Sequence, residues 1–468
     1  MIKWLEDAVF YEVYPQSFRD SNGDGIGDIP GITEKLEYIQ ELGCNALWIN
    51  PCFTSPFYDA GYDVEDYYSV APRYGTNEDL KKLFEAAHQR GMHVLLDLVP
   101  GHTAVTHPWF QESMKAEKNE YTDRYVWTDS LYKRMEDVKG IVSVLRGISP
   151  RPASCGVNCF STQPALNYGF ANITDAGWQQ PTDAPGPMAT REELKNIMRF
   201  WLTLGCDGFR VDMAGSLVKN DEDKKETIRL WQDVRAFLNK EFPEAALVSE
   251  WGKPEVALEA GFDMDFYLHF GDTGYMDLFR GDHPYFGGDP ESDISVFAGI
   301  FAKNQENLRG KGMMCMPSSN HDMARISYQL DEEQMRLAYG FIYGFPGAPF
   351  LYYGDEIGMQ GYRDPFNRAY FDWNSTERRL RVPLTNLARL RRSCDAFDGG
   401  SMELVEASAD VLHYRRVGKE QTAEIILNNG PHLIVRAAFG KQTEVNPGGF
   451  TILVEDNQPQ HVGYFKYY

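Results

Sequence analysis

The chain predicts a parallel (β/α)8 barrel with a subdomain inserted after the third strand and an antiparallel β domain at its C-terminal side. Three observations carry this. A unit of amphipathic helix, glycine and short apolar strand recurs along most of the chain. Eight candidate strands can be counted, each a near-continuous apolar run of the kind a buried parallel sheet needs. Polar and charged residues gather where those strands end, at the face on which barrel enzymes keep their chemistry. A doubly wound open sheet is the alternative.

The elements follow in order. Val9–Phe18 reads as the first strand. Leu36, Ile39 and Leu42 lie at helical spacing between Ile32 and Leu42, stop at Gly43, and lead into Ala46–Pro51. Thr76-x-x-Asp79 reads as a capping box opening a helix that ends at Gly91, before the strand His93–Pro100. Residues 101–168 form the longest break in the alternation, rich in Tyr, Trp, Pro and Gly, and read as the insertion; the barrel then comprises 1–100 and 169–399. Thr190-x-x-Glu193 reads as the cap of a helix closed at Gly205, and Gly208–Ala214 follows as a strand. Ala246–Trp251, Phe262–Phe270, Met314–Asp322 and Pro349–Asp355 complete the eight. From residue 400 the runs shorten to Val411–Val417, Ala423–Leu427 and Phe450–Val454, which predicts a C-terminal β-sandwich over 400–468.

With 468 residues the chain can bury a large core without staples. Its 46 basic against 68 acidic residues, net −22, argue against nucleic acid or an anionic membrane as partner. The N-terminus lacks a basic region followed by an apolar run, and no segment reaches the length of a membrane span, so a cytoplasmic protein is expected. The seven cysteines are odd in number and mostly in apolar contexts, as reduced buried thiols would be; Cys155 and Cys159, which bracket a short loop, are the one pair to consider for a disulfide or metal.

Chemistry concentrates on two strand ends. Gly208-Phe209-Arg210-Val211-Asp212 places Arg210 and Asp212 on one face, because residues two apart on a strand share a side. Ala246-Leu247-Val248-Ser249 ends in Glu250, followed by Trp251. A carboxylate beside a guanidinium stays ionised, and one beside an indole in a drier setting keeps its proton. That combination is what cleavage of a glycosidic bond needs.

Five segments resemble the signature regions of the α-amylase superfamily of glycoside hydrolases, in the family's order: Asp97–His102, Gln163–Asn167, Gly208–Asp212, the Val-Ser-Glu-Trp around Glu250, and Ser319–Asp322. Gly61-Tyr62-Asp63-Val64 and Tyr352–Met359 are further matches, with the oligo-1,6-glucosidase and α-glucosidase group closest in look. The resemblance implies a retaining hydrolysis of short α-glucosides in which Asp212 is the nucleophile, Glu250 the acid/base and Asp322 a third carboxylate on the sugar hydroxyls. It implies that Arg210 orients Asp212, that His102 and His321 hydrogen-bond the sugar, that Tyr62 stacks beneath it, and that Asp63 reaches its far hydroxyls. Arg368, in Asn367-Arg368-Ala369-Tyr370-Phe371-Asp372-Trp373, resembles an arginine that closes the pocket by pairing with the carboxylate at Asp63, although the neighbouring Thr-Pro-Met of relatives is replaced. An endo-acting amylase or a trehalose synthase-like transferase would use the same residues. Met213 fits neither of the residue types that relatives carry beside the nucleophile, and the linkage preference stays open.

Asp20, Asn22, Asp24, Ile26 and Asp28 alternate like the front half of an EF-hand loop, but Gly31 stands where that loop needs its Glu. The resemblance implies a structural Ca²⁺ or Mg²⁺ there. Gly101 occupies the position of an Asn that ligates a second calcium in many relatives, which implies that this second site is lost.

Overall fold

Eight parallel strands close into a barrel in the computed structural model, which describes residues 2–267, 274–289, 291–308, 311–375 and 380–457. They are β1 (Phe10–Val13), β2 (Ala46–Ile49), β3 (His93–Leu98), β4 (Gly208–Val211), β5 (Ala246–Ser249), β6 (Met264–Phe266), β7 (Met313–Pro317) and β8 (Ala348–Tyr352). Each pairs with its neighbours in sequence, and β8 closes on β1. All eight expected strands are present. Residues 268–270 of the expected sixth strand lie outside the described residues.

The barrel interior is filled, not hollow. Phe10, Trp48, Leu95, Val248, Met264, Phe266, Cys315 and Phe350 form one buried cluster, with Phe10 and Phe350 stacked at 4.1 Å. Two residues further along the first three strands the same face turns polar: Phe10 gives way to Glu12, Trp48 to Asn50, Leu95 to Asp97. The period of a strand thus lifts a polar layer directly onto the apolar plug.

Local signals set the outer helices with two differences. Thr76 caps Asn77–His88 as expected, its hydroxyl accepting the Asp79 amide while Asp79 accepts the Thr76 amide. The helix before β4 starts earlier than Thr190: it runs Pro185–Leu204, and the Thr190 hydroxyl lies inside it, bonded to the Gly186 carbonyl at 3.1 Å. Proline suits a first helical turn because its φ is preset and its missing N–H is not needed there, so Pro185 displaces the later capping signal. The helix expected over Ile32–Leu42 is split into Ile29–Glu34 and Leu36–Glu41, the first capped by Asp28, which accepts the Gly31 amide at 2.6 Å.

The insertion carries a short helix, Pro108–Ser113, and a two-stranded ribbon, Ser143–Leu145 with Cys155–Val157. At the C-terminal side Ser401–Ala407, Val411–Val417, Gln421–Asn428 and Gly449–Asp456 form an antiparallel sheet. The hairpin Ile434–Ala438 with Lys441–Val445 packs on it through Ile426, Ala438 and Val445. Buried Glu424 links the two layers, taking His413 Nε2 at 2.8 Å and the Phe439 amide at 2.9 Å. The cysteines are all unpaired. Among the described residues no helix is long and apolar enough to cross a membrane.

Candidate active site

Arg210 is the hub of the polar layer. Its register partner on β3 is Asp97, so the two side chains rise from adjacent strands on the same side and meet at 2.8 Å. Close approach of β4 to β5 depends on Gly208, whose φ is +149° and whose added Cβ would stand 2.2 Å from the Ala246 carbonyl. Arg210 Nη1 also reaches Asp212 Oδ1 at 3.1 Å, and Nη2 reaches Glu250 Oε1 at 2.8 Å. One guanidinium therefore spans both strand-end carboxylates, holding Glu250 in addition to the expected Asp212.

Trp251 turns into the space left by Gly215, where a Cβ would lie 2.5 Å from Nε1. Burial and then the Glu250 charge push the Asp212 carboxyl well above its ordinary range, while Arg210 pulls it down. A carboxyl pushed up by burial and by a like charge beside it is a common mark of a site built for acid–base or nucleophilic work. Met213, held at φ +44°, gives its amide to Glu250 Oε2 at 3.0 Å.

Asp322 follows β7, and its charge and that of Asp212 both act on Tyr62. His321 Nε2 lies 3.2 Å from its Oδ2, and Arg368 Nη2 3.2 Å from its Oδ1. Arg368 is further fixed by the His321 carbonyl at 2.8 Å and lies over the Tyr14 ring at 5.2 Å. Tyr62 stacks on His321 at 5.2 Å and gives its hydroxyl to Asp97 at 2.9 Å.

Asp63 is engaged within its own turn. It is fully buried, and its oxygens take the Ser55 hydroxyl at 2.9 Å and the amides of Tyr58 at 2.8 Å and Asp59 at 3.1 Å. It ties the turn rather than facing a ligand. The neighbouring carboxylate is Asp59, held by Gln163 Nε2 at 2.6 Å and lying within the fields of Arg368 and Asp322. Burial raises Asp59 to about 6.

His102 is likewise engaged inside the protein, Nε2 with the Tyr62 carbonyl at 2.9 Å and Nδ1 with Asn158 at 3.0 Å; burial lowers it to about 4, so the ring is neutral. Asn158 belongs to the insertion and carries the barrel–insertion seam with Lys219, whose buried ammonium gives to the Ser216 carbonyl at 2.8 Å and approaches Asn158 Oδ1 at 3.5 Å. A Cβ at Gly101 would lie 2.7 Å from Asn158 Nδ2, so glycine makes room for this arrangement.

The loop after β1 is rich in hard oxygen donors, and each side chain caps an amide two residues ahead: Asp20 with Asn22 at 3.0 Å, Asn22 with Asp24 at 2.9 Å, Asp24 with Ile26 at 2.8 Å. Asp28 is spent on Ser21 and on the helix cap. The donor types fit a divalent ion, but among the described residues no three His, Cys, Asp or Glu side chains are gathered closely enough to hold one. Binding would require the loop to draw in.

Glu12, Asn50, Asp59, Asn158 and Lys219 were not singled out from the sequence. Asp59 was within reach, three positions before Tyr62 in the segment already noticed; Glu12 gives no local signal, since its partner His321 is 309 positions away.

The family described as "Alpha amylase, catalytic domain" matches residues 12–393. A trehalose synthase/amylase from Mycolicibacterium smegmatis is 34% identical over 400 residues, covering 76% of this chain and 64% of that protein. An oligo-1,6-glucosidase from Parageobacillus thermoglucosidasius is 31% identical over 396 residues, covering 79% and 68%. Among solved structures, an α-amylase from H. orenii superimposes with a TM-score of 0.78 at 27% identity, over 96% of this chain and 99% of that one. The chain thus spans a little under two thirds of the first of these relatives. It belongs to the α-amylase family of glycosidases.

Proposed function

We propose that the chain is a retaining, exo-acting α-glucosidase that releases glucose from short α-glucosides of the maltose or isomaltose type. The observation that carries this reading is the Arg210 guanidinium holding Asp212 at 3.1 Å and Glu250 at 2.8 Å at the ends of adjacent strands. Asp212 attacks C1 of the terminal glucosyl unit as the bond to the bridging oxygen breaks and Glu250 gives that oxygen its proton. Water then attacks C1, Glu250 takes the water proton, and Asp212 departs. Asp322 binds ring hydroxyls more tightly as the ring flattens. Arg368, clamped between Asp322 and Tyr14, supports a pocket closed at the glucose end and hence exo action.

A second reading, transfer of the glucosyl unit to a sugar acceptor, is favoured by the similarity to the mycobacterial trehalose synthase/amylase. Seven unpaired cysteines support a reducing, cytoplasmic setting. A Ca²⁺ or Mg²⁺ in the loop Asp20–Asp28 belongs to this proposal as a structural ion, with no part in the reaction.

Asp212→Asn is expected to abolish turnover of 4-nitrophenyl α-glucoside, and undiminished activity would refute the assignment. Glucose alone from maltose, isomaltose and maltoheptaose supports hydrolysis from the end. Early mixed oligosaccharides from maltoheptaose point to endo action, and trehalose from maltose to transfer.

A further inference from the structure

Glu12 on β1 is 1% exposed, with Trp48 of β2 and Tyr352 of β8 as register partners. An acidic side chain above an apolar plug is costly unless something meets it. What meets it is His321: Glu12 Oε1 lies 2.8 Å from Nδ1. Asn50 also hydrogen-bonds Glu12, and its Nδ2 lies 3.1 Å from the same ring nitrogen.

The other ring nitrogen, Nε2, is 2.6 Å from the Tyr62 hydroxyl and 3.2 Å from Asp322 Oδ2. Tyr62 spends its own proton on Asp97 Oδ2 at 2.9 Å, an oxygen that also takes Trp48 Nε1 at 3.0 Å. Its oxygen is therefore left to accept from Nε2. Nδ1 faces the Glu12 oxygen as well as the Asn50 amide, and Nε2 faces the Tyr62 and Asp322 oxygens, so a neutral imidazole leaves one of the two sides without a proton for its oxygen.

We propose that Glu12 is a positioning residue for the reaction: by holding the Nδ1–H of His321 it keeps the ring doubly protonated, so that Nε2–H is directed as a charged donor at Asp322 and at the sugar hydroxyls beside it.

The surroundings agree. His321 lies nearly parallel to Tyr62 at 5.2 Å and 12° and to Tyr14 at 6.4 Å and 15°, with Trp48 edge-on at 5.6 Å. Aromatic faces favour a cation over a neutral ring. The charged groups acting on His321 are Glu12 from β1, Asp322 from its own segment, Asp97 of β3 through Tyr62, and Arg368 from the loop above, which opposes the others. Burial works against the charged ring, but Asp322 and Glu12 outweigh it and raise His321 above the ordinary imidazole value. The imidazolium is thus the form present below that raised value, and it is lost as pH rises through it. Removing the Glu12 charge moves that loss to lower pH.

The inference uses the glucosidase reading only to choose the assay. In the whole protein labelled with ¹⁵N-histidine, with His321 assigned by its loss in His321→Gln, both ring nitrogens are expected to be protonated at a pH just above the ordinary histidine value, where a free imidazole is mostly neutral. A single neutral tautomer there overturns the proposal whether or not any variant folds. In Glu12→Gln, the alkaline limb of kcat/KM on 4-nitrophenyl α-glucoside is expected to move down by about one pH unit, with about tenfold loss on the alkaline side and little on the acid side. A profile parallel to that of the parent enzyme, whatever its height, overturns it as well. Should Asp212→Asn stay active, the function falls while the ¹⁵N result stands on its own.

Discussion

Ser249 gives its hydroxyl to Asp265 Oδ1 at 2.8 Å, across from β5 to β6, and the same oxygen takes the amides of Trp251 at 3.1 Å and Gly252 at 3.3 Å. Glu250 stands between Ser249 and Trp251. A carboxylate with no view of the substrate pocket therefore fixes the backbone on both sides of the proposed acid/base. Such support matters because a misplacement of about 1 Å at a reacting group costs on the order of 100-fold in rate.

Asp265→Ala is expected to lower kcat by about tenfold or more by releasing the Trp251 and Gly252 amides, whereas Asp265→Asn keeps an accepting oxygen and most of the rate. The pair also differ in stability. Burial raises Asp265 to about 7, so the folded chain keeps a proton that the unfolded chain gives up from about pH 4. The unfolded state then binds fewer protons over this interval, and stability falls between about pH 4 and 7. Urea midpoints of Asp265→Asn, compared with those of the parent at the two ends of that window, are expected to show a shallower fall. Equal slopes would mean that Asp265 is ionised in the folded chain throughout.

How much of this was legible in the sequence depends on the range of the interaction. Strand period, glycine stops and the Thr76 box are local, and they place all eight strands and the polar ends of β3, β4, β5 and β7. Pro185 shows the limit of local reading, since two capping signals compete and only packing of the whole helix decides. The site partners are harder. Arg210 was expected to serve Asp212, two residues away, but the guanidinium has a second nitrogen, and only the closing of the barrel brings Glu250 to it. Asp63 misled for a similar reason: it adjoins Tyr62 in sequence, but the turn from Ser55 to Asp63 folds the carboxylate inward and leaves Asp59 outside.

Lys219 joins barrel to insertion through the Ser216 carbonyl and Asn158, and Asn158 in turn holds His102. Lys219→Met keeps the length and apolar stem but leaves a buried carbonyl without its donor, at a cost of about 1–3 kcal/mol. The expected result is a lower denaturation midpoint together with faster proteolysis inside residues 101–168. An unchanged cleavage pattern would show that the seam is held elsewhere.

For the loop after β1, the ladder of side chains onto their own amides closes the turn before any ion arrives, and an ion would add stability by drawing the donors together. Exhaustive chelation is expected to lower Tm by a few degrees and to leave kcat unchanged at temperatures where the protein stays folded. Retained Tm, with no divalent metal detected by elemental analysis of the purified protein, would remove the ion from the proposal. Loss of kcat in folded, chelated protein would instead give the metal a role beyond structure.

Asp59 and Asp63 make opposite predictions although they stand only four positions apart. Asp63 is fully buried and accepts from Ser55, Tyr58 and Asp59, so Asp63→Ala removes the anchor those donors share and lowers stability, by about 1–3 kcal/mol for buried donors left unmet. Asp59 is held from behind by Gln163 and lies in the fields of Arg368 and Asp322, at the end of the pocket assigned to the terminal glucose. Asp59→Asn is therefore expected to raise KM for maltose by about tenfold or more with little change in melting temperature, as loss of a charged hydrogen bond to a hydroxyl would. Because burial raises Asp59 to about 6, the ionised form is present above that pH and is lost as pH falls through it. KM in the parent enzyme should then rise below about pH 6, and in Asp59→Asn that rise should vanish. If Asp63→Ala rather than Asp59→Asn raised KM in a fully folded protein, the pocket would end on the other carboxylate, and the turn from Ser55 to Asp63 would have to open when substrate binds.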